Sequence, residues 1–152
     1  MSLSAQRSAI VDLGSNSVRL VVFEGVARNP LPIFNEKVTL KLGRGLDATG
    51  RLNDEGVTLA MDVLGRFHTV ARAMGAEPFE VLATAAVRAA SNGPDFVSAI
   101  RARTPGVPLR VLEGTEVEDY AARGVLCGLP EANGRAAAIG GGSLALIIVA
   151  DR

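Results

Sequence analysis

The chain has no tryptophan, and only one tyrosine, one histidine and one cysteine, in 152 residues. Cys127 alone cannot build an internal disulfide framework or a zinc site of clustered cysteines, so it reads as a small apolar thiol. With no second histidine, His68 excludes a multi-histidine metal site and a Ser-His-Asp triad, and it reads as a surface residue of a helix. Neither sign of charge is in excess. Sixteen Lys and Arg balance sixteen Asp and Glu, so no long-range field draws the chain to a nucleic-acid polymer or an anionic membrane. No apolar run reaches the ~18 residues of a spanning helix, and the start, MSLSAQRS, lacks the apolar centre of a signal peptide. The expectation is a cytoplasmic protein that catches any anionic ligand with local groups.

What the chain does have is apolar content, 48% of its residues, and a length that suits one domain with a real core. Periodicity predicts an order βββαβαβα followed by a hairpin. SAIVDLG and SVRLVVFEG are strands joined by SNS, LPIFNEKVTLKLG is a third strand, and GRGLDATGRL after it is a loop. Asn53 caps a helix with Asp54 and Glu55 in its first turn, Ala60, Val63, Leu64, Phe67, Val70, Ala71 and Met74 on its apolar stripe, and Gly75 at its end. FEVLATAA and PLRVLEG are further strands, and PDFVSAIRART and TEVEDYAARGVLCG are helices. Tyr120, flanked by apolar helix positions, reads as core or interface. GRAAAIGGGSLALIIVADR reads as strand, turn and strand. Residues 1–133 are therefore expected to be one α/β domain with a mixed sheet flanked by helices, and 134–152 the opening hairpin of a second. The LALIIVA run would lack a sheet to join, so self-association, most simply as a homodimer, is expected.

Two glycine loops could carry chemistry. In DLGSNS, Gly14 lets the backbone approach a ligand, and the amides and hydroxyls of Ser15, Asn16 and Ser17 could cradle phosphate oxygens, with Asp12 beside them for a divalent cation. A plain hairpin turn explains the same string about as well. GGGS, made of Gly140, Gly141, Gly142 and Ser143, is a second nest of amide donors after a strand. Arg88 stands at the end of a predicted strand, where ligands of open α/β sheets gather, and its fork matches phosphate oxygens. A helix-terminal salt bridge is the plainer alternative for Arg88, and a turn the plainer one for Asn92 and Gly93. Glu113, Glu118 and Asp119 sit where carboxylates ordinarily complement a helix start.

In order, IVDLGSNSVRL, LGRGL, LATAAVRAASNG, LEGTEVEDYAARGV and IGGGSLAL resemble the exopolyphosphatase and guanosine pentaphosphate phosphatase (Ppx/GppA) family over nearly the whole chain. The resemblance implies a ribonuclease H-like, actin-like ATPase fold in which two similar domains hold a phosphate chain between them. It implies hydrolysis of the terminal phosphoanhydride of polyphosphate or pppGpp, assisted by Mg²⁺ near Asp12. Glu116 would be the base that activates water. It assigns phosphate binding to Gly14, Ser15, Asn16, Ser17, Arg88, Gly140, Gly141, Gly142 and Ser143.

The chain also departs from the family pattern. Ala138 and Ala145 replace usual carboxylates around the second loop, Ala89 follows the arginine where an acidic residue is common, and Val117 replaces the second Glu of a pair. A phosphate-chain binding or regulatory module with impaired turnover, or half of an active site, is the alternative function. A kinase or ATPase of the same broad fold is a third reading that SNSVRL and ATAAVR suit less well.

Overall fold

The computed structural model describes residues 6–140 and 144–149. A five-stranded mixed sheet has the order β3-β2-β1-β4-β5, formed by β1 (Arg7–Leu13), β2 (Ser17–Glu24), β3 (Leu31–Thr39), β4 (Ala76–Ala83) and β5 (Leu109–Val111). Strand β1 is antiparallel to β2 and parallel to β4, β2 is antiparallel to β3, and β4 is parallel to β5. Alternation decides what each face carries. Ala9, Val11 and Leu13 of β1 are in register with Val22, Leu20 and Val18 on one side and with Phe79, Val81 and Ala83 on the other, and all nine are buried.

Helix α2 (Asp54–Ala73) covers this apolar ladder with Ala60, Val63, Leu64, Phe67 and Ala71, and α4 (Gly93–Arg103) adds Phe96, Val97 and Ile100. The Asn53 side chain caps α2 by accepting from the Gly56 amide at 2.9 Å, and Gly75 follows its end at φ 66. His68, expected on the surface, is half-buried with its ring 5.2 Å from that of Phe79, because α2 lies flat on the sheet. The third long helix, α5 (Gly114–Gly128), packs on a separate antiparallel hairpin of β6 (Gly134–Ile139) and β7 (Leu144–Val149). Arg28, after β2, ties α5 to the sheet by donating to the Leu126 carbonyl at 2.8 Å.

The mixed α/β class and element order are as expected, with two short helices added. Leu46–Thr49 winds one turn, α1, inside the predicted loop, bounded by Gly45 and Gly50, both at positive φ. Ala85–Ala89 forms α3 where a strand tail was expected. Its alanine-rich AAVRA prefers helix once β4 has run out of a partner at Leu13.

Asn92 and Gly93 have packing roles. The Asn92 Oδ1 accepts from the Leu52 amide at 2.8 Å, and the Ser91 hydroxyl donates to the Gly50 carbonyl at 3.0 Å, which binds the α1 turn to the start of α4. A Cβ on Gly93 would lie 2.0 Å from the Val87 carbonyl oxygen, so only glycine lets α4 leave α3 this closely. Gly93→Ala is expected to cost about 2–3 kcal/mol in denaturant unfolding. A loss well under 1 kcal/mol would show that the α3–α4 corner relaxes freely.

Candidate functional site

The ends of β1 and β3, helix α3, the start of α5 and the tip of the β6–β7 hairpin enclose an open cleft of about 1040 Å³. Asp12 and Lys37 enter it from the sheet face opposite the core. Lys37, Arg19, Asp12, Leu82 and Arg110 are in register across the five strands, one residue out of phase with the apolar ladder. Asp12 therefore opens into the cleft because Val11 and Leu13 do not.

The β1–β2 turn is closed by the Gly14 amide donating to the Ser17 carbonyl at 3.0 Å. The loop after β3 runs alongside it. The Gly43 amide donates to the Ser15 carbonyl at 2.7 Å, and the Leu40 and Lys41 amides donate to the Asn16 carbonyl at 2.8 and 2.9 Å. The carbonyls are thus taken up, while the amides of Ser15 and Asn16 have no backbone acceptor among the described residues. Gly14, Ser15, Asn16 and Ser17 all line the cleft, an arrangement that suits an anion.

Arg88 also lines the cleft, from the last turn of α3 and not from a strand end. One of its terminal nitrogens donates to the Leu112 carbonyl after β5, which fixes the guanidinium and leaves its other donors for a ligand. Gly140 reaches the cleft from the hairpin, whereas Gly141, Gly142 and Ser143 lie outside the described residues.

Glu116 is not brought to this cleft. Its Oε2 accepts from the Glu113 amide at 2.9 Å, reaching back over the start of α5. Its Oε1 pairs with Arg110, whose guanidinium also donates to the Tyr120 hydroxyl at 2.9 Å and lies 3.8 Å from Glu80. Tyr120, expected in core or interface, is exposed and serves this cluster. The spacing of Glu113 and Glu116, three apart at a helix start, already carried the signal for the backward cap. Val117 and Glu118, the next two positions around the helix, face the cleft instead.

Ala89, Val117, Ala138 and Ala145, scattered over 57 positions of sequence, converge as cleft-lining residues. Sequence reasoning missed Lys37, Lys41 and Arg44, which line it too, together with Asp47. The cationic spacing in KVTLKLGR, at the end of an alternating strand and just after it, is their trace in the sequence, and it gains meaning only once that loop lies beside the glycine turn.

The acidic side chains do not make a metal cage. Among the described residues no three His, Cys, Asp or Glu side chains come together to hold an ion. Asp12, Asp47 and Glu118 are the carboxylates that line the cleft, and a Mg²⁺ held there by Asp12 would complete its shell with water and substrate phosphate. Desolvation by the surrounding walls holds the Asp12 pKa above its ordinary value, and Arg19 on the neighbouring strand opposes that shift.

Residues 21–152 match the sequence profile of the Ppx/GppA phosphatase family. The chain belongs to that family. Exopolyphosphatase 1 of Mycobacterium leprae is 32% identical over 111 residues, covering 72% of this chain and 32% of that protein. Exopolyphosphatase 2 of Mycobacterium tuberculosis is 29% identical over 156 residues, covering 96% of this chain and 49% of the relative. The chain thus spans 32% to 49% of the length of these Ppx/GppA relatives. An exopolyphosphatase from Cytophaga hutchinsonii superposes with a TM-score of 0.86 at 28% identity, over 95% of this chain and 47% of that one. The actin-like fold expected of a Ppx/GppA protein is the fold observed.

Because desolvation raises the folded-state pKa of Asp12, its ionised carboxylate costs stability near neutral pH, and that cost is removed as pH falls through the raised pKa. Thermal melts should show the wild type gaining on Asp12→Asn as pH is lowered from 7 toward the carboxylate range, with the variant at least as stable at pH 7. A variant less stable at every pH would mean that the carboxylate, not its desolvation, dominates there.

Proposed function

We propose that the cleft grips a linear phosphate chain, inorganic polyphosphate first and pppGpp as its guanosine-capped counterpart, and that this chain holds its ligand without appreciable turnover. One observation carries the reading. The groups that suit phosphate, the Gly14–Ser17 turn, Arg88 and Gly140, share a cleft with Ala89, Val117, Ala138 and Ala145, four apolar residues where the family resemblance implies acidic ones.

Binding asks for donors fixed in advance, and the turn amides and the anchored Arg88 fork supply them. Hydrolysis asks for more. Water has to be oriented and partly deprotonated while charge on the phosphoryl oxygens is neutralised. A base must lie within hydrogen-bonding reach of that water, and the Glu116 carboxylate is held by Arg110 and the Glu113 amide instead.

A second reading is favoured by family membership and by the relatives named exopolyphosphatase. In it the longer protein hydrolyses the terminal phosphoanhydride with Glu116 as base, after its pairing with Arg110 breaks, and this chain is half of the site. Here Asp12, the carboxylate proposed for Mg²⁺, would hold it together with water and substrate phosphate.

Under the first reading, polyphosphate binds in the presence of chelator, Arg88→Ala weakens binding about tenfold, and orthophosphate release with Mg²⁺ stays at background. Ala138→Asp should raise release, and Glu116→Gln should change nothing. Release by the wild type that Glu116→Gln abolishes would replace the first reading with the second.

A further inference from the structure

Lys37, Lys41 and Arg44 line the cleft from β3 and the loop after it, are all exposed, and form no ion pair among the described residues. Their carrier is not a loose loop. The three backbone hydrogen bonds of 2.7–2.9 Å to Ser15 and Asn16 strap it against the glycine turn, and the Arg44 amide closes a turn onto the Lys41 carbonyl at 3.0 Å.

Lys41 is the only non-glycine residue with positive φ, 57°, among the described residues. A side chain with a Cβ is disfavoured in that conformation, and glycine would occupy it without penalty. The chain keeps a cation there. Such strain collects where a side chain is needed for function, and Lys41 opens onto the same cleft as the glycine turn.

We infer that Lys37, Lys41 and Arg44 form a second anion subsite, which holds inner phosphates of a chain while the glycine turn and Arg88 hold its end. The inference rests on the phosphate-chain reading and deepens it. The ligand class is a linear phosphoanhydride of several phosphates, not orthophosphate. The subsite neutralises charge with fixed ammonium and guanidinium groups, so its grip needs no divalent cation. Asp12, Asp47 and Glu118 are the acidic side chains that line the cleft, and Lys37, Lys41, Arg44 and Arg88 outnumber them, which sets a preference for ligands that bring several charges at once.

The test compares long-chain polyphosphate with orthophosphate, each titrated in chelator against the wild type, Lys37→Ala/Lys41→Ala/Arg44→Ala, and Lys41→Gly. The triple variant should lose at least tenfold in affinity for the long chain, and the slope of log affinity against log salt should flatten by about 2–3. Its orthophosphate affinity should stay within twofold. Lys41→Gly should bind the long chain several-fold more weakly while melting at a higher temperature than the wild type, a pairing that a purely structural lysine would not give.

A wild type that binds no polyphosphate overturns both this subsite and the phosphate-chain reading. Wild-type binding that the triple variant retains in full, or orthophosphate affinity that falls in step with the long chain, overturns the subsite alone.

Discussion

Strand β1 is hydrogen-bonded on both sides, antiparallel to β2 and parallel to β4, and the phase of its side chains governs the rest of the molecule. With Ala9, Val11 and Leu13 committed to the core, Asp12 has to face the other way. The same commitment passes through the register to Arg19 and Lys37 on one side and to Arg110 on the other. One hydrophobic ladder therefore fixes a charged row on the opposite face. The glycine turn follows immediately after Leu13, so the row and the turn amides meet at one end of the sheet.

The contrast inside the cleft is between what can hold phosphate and what can act on it. Donors come mostly from backbone and from side chains that the fold anchors, as the Leu112 carbonyl anchors Arg88. Carboxylates come from individual side chains, and Ala89, Val117, Ala138 and Ala145 bring none to this cleft. Backbone-built binding survives substitution of side chains around it, and chemistry that depends on carboxylates does not. The pairing of Glu116 with Arg110 has the same effect from another direction, since it uses a carboxylate to finish a helix and brace an exposed cluster.

Periodicity was sufficient for the sheet and the long helices because burial of alternating or helically spaced apolar residues leaves little choice of element. The Asn53 cap and the apolar stripe of α2 were legible for that reason. Short elements were not, because α1 and α3 depend on neighbouring contacts, such as the pairing of Asn92 with Leu52, that join residues 40 positions apart. Candidate residues on the β1–β2 turn and Arg88 could be read from order and spacing, and they do meet in one cleft. The direction of Glu116 was legible only from the Glu113–Glu116 cap spacing, because one helical position turns a side chain by about 100° and sequence similarity does not fix which helix face reaches the cleft. Lys37, Lys41 and Arg44 became visible only when the loop after β3 was found beside the glycine turn.

The ladder between β2 and β3 contains an irregularity. Val22 faces Phe34 and Phe23 faces Pro32, so Ile33 has no partner. Below that point Leu20 is matched with Glu36 and Arg19 with Lys37. Glu36 consequently faces α2, where Arg66 pairs with it at 2.9 Å, and Lys37 faces the cleft. Without the extra residue the strand would slide by one, presenting Glu36 to the cleft and turning Lys37 toward Arg66. The bulge therefore acts as a polarity selector, because a single unpaired isoleucine decides the sign of the charge that the edge strand shows to an incoming anion.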